Sequence, residues 1–123
     1  MNRILIVEDD RDIALALTTR LRAAGFLPVN AYDAMGGVSL AVKDTPDLVL
    51  LDLMMPAGGG LKVAERLRAL GATAVVPIIF LTASKDPEMR EKAMLYRPHN
   101  FIEKPYDPVV LLASIQEALG VTA

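Results

Sequence analysis

The sequence predicts an α/β domain, a doubly wound parallel sheet with helices on both faces, and three observations carry that prediction. Short apolar runs alternate with amphipathic stretches about five times along the chain, and continuous apolar runs fit parallel strands covered on both sides. Each run ends in polar or charged residues, several followed by helix-start chemistry. No linker, low-complexity tract or internal repeat interrupts the alternation, so residues 1–123 read as one domain.

Composition narrows the class. A domain near this length buries roughly two-thirds of the surface its unfolded chain exposes, so it needs no covalent staple. The absence of Cys excludes disulfides, cysteine-ligated metals and thiol catalysis, and a reducing cytoplasm suits such a chain. Thirteen basic against fifteen acidic residues leave a formal charge of -2, which argues against direct nucleic-acid binding by bulk electrostatics. The apolar run at 4–7 is too short for a signal-peptide core, and no later run, including 75–81, approaches the ~20 residues of a membrane helix. The expectation is a cytoplasmic protein with no membrane partner.

The elements follow in order. Residues 3–7 form the first strand, with Glu8, Asp9 and Asp10 at its carboxyl end. Ile13, Leu17, Leu21 and Ala24 then recur at helical spacing, with Asp9 or Asp10 able to cap the helix and Gly25 to end it. Residues 26–32 suggest a second strand, and Pro28 assigns it to a sheet edge. The helix over 34–43 holds the doublet Gly36-Gly37, each costing about 1 kcal/mol against Ala, so it is expected to be the least regular. The third strand lies in 48–56, LVLLDLMMP, which delivers Asp52 to its carboxyl end. A Gly-rich loop leads to a helix over 60–70 that Gly71 ends, and 76–81 is a fourth strand delivering Thr82 and Ser84. Asp86 caps the next helix with Pro87 at its first position, and the helix stops before Pro98. Phe101 and Ile102 form a short fifth strand leading to Glu103, Lys104 and Pro105, and Asp107-Pro108 opens a last helix running to Gly120.

In this topology the carboxyl ends of the strands open onto one edge, so Glu8, Asp9, Asp10, Asp52, Thr82 and Lys104 can converge. Carboxylates brought together repel, and a divalent cation or a cationic side chain relieves them. Oxygen-only ligands with no His or Cys nearby select a hard ion such as Mg²⁺. With Lys104 as a point charge and Thr82 as a hydroxyl donor, the set describes a site for an oxyanion of phosphoryl size beside a carboxylate able to attack it.

The whole chain resembles the receiver domains of two-component response regulators, a flavodoxin-like family with strand order 2-1-3-4-5 and a chemotaxis member. ILIVEDD, DLMMP, FLTA and FIEKP carry the resemblance, in the family's order and each at a predicted strand end. It implies that Asp52 is the phosphoacceptor, taking a phosphoryl group from a histidine kinase or a histidine phosphotransfer protein. Asp9 matches the direct Mg²⁺ ligand and Glu8 the acid that acts through water, and the backbone carbonyl of Met54 completes the protein's share. Thr82 and Phe101 match the switch hydroxyl and aromatic, Lys104 the lysine that pairs with the phosphoryl group, and Lys104-Pro105 is cis in the family. The face of the fourth helix, fifth strand and fifth helix is implied to change its preference for a downstream target, or for an output domain that these 123 residues do not include. Catalysis is limited to assisting the domain's own phosphoryl transfer and hydrolysis. Met54 and Ser84 stand where the family controls access of water, implying a phosphorylated lifetime of minutes or longer.

The chain departs from the family at 97–101, Arg-Pro-His-Asn-Phe, where many members read Gly-Ala-Asp-Asp-Tyr, and at Gly59, where an acidic or polar residue is common. His99 is expected to be an exposed loop residue and Arg97 a surface charge. Two rivals remain. A haloacid-dehalogenase-type phosphohydrolase also uses an aspartyl nucleophile, but its D-x-D pattern is missing where Leu53 and Met54 stand. A phosphorylation-independent receiver-like scaffold would have no use for the acids, Thr82 and Lys104.

Overall fold

The computed structural model describes residues 1–83 and 85–121. The chain runs β1 (Arg3–Val7), α1 (Arg11–Ala23), β2 (Leu27–Ala31), α2 (Ala34–Lys43), β3 (Leu48–Asp52), α3 (Gly59–Ala69), β4 (Ile78–Thr82), α4 (Pro87–Met94), β5 (Asn100–Glu103) and α5 (Pro108–Leu119). Short 3₁₀ turns occupy Pro56–Gly58 and Gly71–Thr73. The sheet order is β2-β1-β3-β4-β5 with every pairing parallel, the flavodoxin-like order expected. Winding reverses between β1 and β3, which opens a crevice at their carboxyl ends.

Strand side chains alternate between the two faces of the sheet. Ile4, Ile6, Leu48, Leu50, Ile79 and Leu81 pack on one face against Leu17 and Leu21 of α1 and Leu111 and Ile115 of α5. Leu5, Val7, Val49, Leu51, Ile78 and Phe80 pack on the other against α2, α3 and α4. Every residue of β3 and β4 is buried, which is why both read as unbroken apolar runs rather than alternating ones.

Four helices open on an aspartate whose carboxylate accepts from backbone N–H groups of the first turn: Asp10 for α1, Asp33 for α2, Asp86 for α4 and Asp107 for α5. Pro87 and Pro108 hold the first-turn positions predicted for them. Three expectations differ from what forms. β4 begins at Ile78 rather than at 76, because Pro77 has no N–H for the ladder. α3 ends before Gly71 without a left-handed terminator; the Thr73 hydroxyl caps it instead, donating to the Leu67 carbonyl at 2.7 Å. α2 runs unbroken through its glycine doublet. There Gly37 lies against Val7, and a Cβ at that position would stand 3.0 Å from the Val7 Cγ1; the helix gives up propensity to approach the sheet closely.

Candidate functional site

β1 and β3 are adjacent, so their carboxyl ends bring Glu8, Asp9 and Asp52 together, with one carboxylate oxygen of each within 4.8 Å of the others. Glu8 is 1% exposed and Asp52 5%, whereas Asp9 faces solvent. Two buried carboxylates need a counter-charge. Lys104, just past β5, supplies it: its Nζ donates to Glu8 Oε1 and stands 3.5 Å from Asp52 Oδ1. Burial above all, then the neighbouring Asp52, pushes the Glu8 carboxyl up to about 7 against the pull of Lys104.

The backbone around Asp52 is fixed from two sides. The Met54 N–H donates to Asp52 Oδ1 at 3.0 Å, which orients one carboxylate oxygen and leaves Met54 at the surface. Behind it Gly60, in the first turn of α3, presses on the strand end: a Cβ there would stand 2.4 Å from the Asp52 carbonyl oxygen and 2.7 Å from that of Leu53. Only glycine fits. The 56–60 segment is therefore built for close approach, with Ala57 and Gly58 both left-handed, rather than being merely slack.

Thr82 ends β4 fully buried, and its carbonyl accepts from the Lys104 N–H at 2.8 Å, so the last residue of one strand positions the lysine of the next. The Lys104–Pro105 bond is cis. Phe101 pairs in register with Phe80, and their rings stack at 5.5 Å and 19°. Arg90 of α4 lies over the Phe101 ring at 5.2 Å and bonds Glu103 at 3.0 Å. Ser84 lies outside the described residues.

Glu8, Asp9, Asp52, Thr82 and Lys104 thus meet at one edge, whereas the Asp10 carboxylate turns to the first turn of α1 and accepts from the Asp12 and Ile13 N–H groups. The donors that remain suit a small hard cation. Octahedral Mg²⁺ holds oxygens at about 2.1 Å, so opposite ligands lie about 4.2 Å apart, and carboxylate oxygens that all lie within 4.8 Å of one another are compatible with one such ion. The sequence profile of the response regulator receiver domain matches residues 4–116. The chain belongs to that family. This receiver domain is 34% identical over 117 residues to the phosphate regulon transcriptional regulatory protein PhoB of Escherichia coli, an alignment covering 95% of the chain and 51% of PhoB. It spans about half the length of the curated relatives it matches. Among solved structures, the chemotaxis protein CheY4 of Vibrio cholerae superposes with a TM-score of 0.91 at 26% identity, covering 97% of this chain and 99% of the other. The receiver domain of sensor histidine kinase PA1611 from Pseudomonas aeruginosa, solved with magnesium in its active-site cleft, gives 0.89 at 27% identity and covers 97% and 98%.

Three features of the receiver were not legible beforehand. Gly60 was hidden among three glycines of which it alone meets the Asp52 backbone. Arg90 gave no signal, since its partners are set by how α4 lies on β5. Arg68 of α3 gathers carbonyls from two loops, donating to Tyr96 at 2.7 Å and Val76 at 2.6 Å; only the tertiary fold brings those oxygens to it.

Proposed function

We propose that the domain is a phosphorylation-dependent switch in which Asp52 accepts a phosphoryl group from a histidine kinase or a histidine phosphotransfer protein. The observation that carries this reading is the Lys104 ammonium held between Glu8 and Asp52 beside a carboxylate cluster. Asp52 Oδ attacks phosphorus; the bond from phosphorus to the donor's imidazole nitrogen breaks, and its electron pair leaves with the imidazole. Developing negative charge on the phosphoryl oxygens faces Lys104, which then exchanges its carboxylate partners for the phosphoryl group. Glu8, Asp9, Asp52 and the Met54 carbonyl would hold Mg²⁺, which supplies charge neutralisation between the carboxylates and the incoming phosphoryl oxygens.

Thr82 turns its hydroxyl to the phosphoryl group, and Phe101 moves with it on the Phe80 ring. The face of α4, β5 and α5 then changes its preference for a downstream protein or an output domain. Water later hydrolyses the aspartyl phosphate at this same site, with Met54 limiting its access and giving a lifetime of minutes or longer. The same reading has the domain working in the cytoplasm, with no direct nucleic-acid or membrane contact of its own; among the described residues no helix is long and apolar enough to cross a membrane. Acetyl phosphate with Mg²⁺ tests it by intact mass. One phosphoryl adduct is expected on the native chain and none on Asp52→Ala; no adduct on the native chain, or an equal one on the variant, overturns the reading.

A further inference from the structure

The edge of the sheet opposite the acids carries a surface cavity of about 390 Å³, lined by Arg68, Arg97 and His99 over an apolar floor of Ala74, Pro77 and Ala118. No carboxylate is part of that lining. Glu117 of α5 reaches the same edge and pairs with His99 Nε2 at 3.0 Å, so one carboxylate stands near the two guanidinium charges and they are not balanced. Burial, and then the charge of Arg97, lowers the pKa of Arg68, so the two repel across the cavity.

Donor accounting separates their roles. Arg68 Nε donates to the Tyr96 carbonyl at 2.7 Å, and Nη1 to those of Val76 at 2.6 Å and Ala74 at 3.1 Å. Nη2 has two N–H groups and only a 3.4 Å approach to the Arg97 carbonyl, so one N–H has no acceptor among the described residues. Arg68 is otherwise accounted for as a staple at the carboxyl end of α3, where a cation is favoured. Arg97 is not. It is exposed and left-handed at φ 53, a conformation that favours glycine, and it stands next to a like charge. Backbone strain and repulsion accepted together at one position point to a role for that guanidinium.

We infer that Arg97 and the outer N–H of Arg68 bind the oxyanion head of a small phosphomonoester, whose organic part rests on the apolar floor. Guanidinium forks match phosphate geometry, and the cavity has apolar room beyond what a bare phosphate would fill. Bound there, the anion would join α3 to the segment that leads into β5.

The test uses the ¹⁵N-labelled full chain without Mg²⁺, titrated with phenyl phosphate or inorganic phosphate at ionic strength held constant with sodium chloride. Saturable shifts are expected at the amides of Val75, Arg97 and His99, with phenyl phosphate binding more tightly than inorganic phosphate. Arg97→Gln, with an otherwise native spectrum, is expected to weaken binding at least ten-fold. Shifts confined to the Glu8, Asp52 and Lys104 edge, an affinity unchanged in Arg97→Gln, or an equal response to sodium chloride alone would overturn the inference. Inorganic phosphate binding as tightly as phenyl phosphate would overturn the place given to the organic part.

Discussion

Glu8 shows how a single residue couples folding to the site. Its carboxyl is ordinarily near 4.5 and stands at about 7 in the fold, so between those values the folded domain holds a proton that the unfolded chain has lost. Stability without Mg²⁺ therefore falls as pH rises through that window. Denaturant midpoints measured in chelator from pH 4.5 to 7.5 should show this fall, and Glu8→Gln should flatten it. Mg²⁺ needs the carboxylate charged, so its affinity by calorimetry should rise over the same range. Gly60 makes a second prediction at this scale. Gly60→Ala forces Cβ into two carbonyls and should cost about 1–3 kcal/mol as overpacking, read by chemical denaturation, with slower uptake of phosphate from acetyl phosphate. The placement of Glu8, Asp9, Asp52, Thr82 and Lys104 was legible because each lies at the end of an apolar strand, and strand ends share an edge in any parallel sheet, whereas Asp10 went to the α1 cap instead. Gly60 was not, because the order of residues does not say which glycine of three will touch a backbone folded back from Asp52.

At the scale of elements, the stretch 97–101 changed most in meaning. Where many members of the family have glycine, Arg97 is left-handed, so the departure keeps the backbone shape and meets the steric term that glycine avoids. Arg97→Gly should raise stability by up to about 1 kcal/mol, measured by thermal or denaturant unfolding. Arg68→Lys should lower it, since a point charge cannot serve the carbonyls of Tyr96, Ala74 and Val76 together. His99 is exposed, as expected, yet its N–H donates to the Ile78 carbonyl at 2.7 Å and its ring pairs with Glu117, so it anchors the start of β5 rather than idling in a loop. α4 is the loosest attachment. Ala93 is its one buried residue among eight, against five in α3, and amide exchange should be faster in α4 than in α3.

For the whole molecule, the fold class and shared edge followed from alternation and strand-end residues, and the strand order from the family resemblance. What did not follow was how the helices lie on the sheet, because the sequence marks which face of a helix is apolar but not its partner across space. The asymmetry between buried β3 and thinly covered β5 makes a prediction: on phosphorylation, amide exchange should change in α4 and β5 and stay unchanged in β1 and β3. The parallel arrangement also has an electrical consequence. The aspartate caps of four helices lie with Glu8, Asp9 and Asp52 at one end of the strands, and Arg20, Arg22, Lys43, Arg66 and Arg68 lie in last turns at the other. Lys104 and Arg11 at the first end, and Asp44, Asp47 and Glu117 at the other, offset this only in part. A chain with a formal charge of only -2 is thus a strong dipole along its strand axis, and a basic partner surface would turn its reactive end forward before contact. Such steering acts over a Debye length, about 8 Å at physiological salt, so the rate at which a phosphodonor protein with a basic surface meets this domain should drop with added salt even though the two charges of the net sum would suggest indifference.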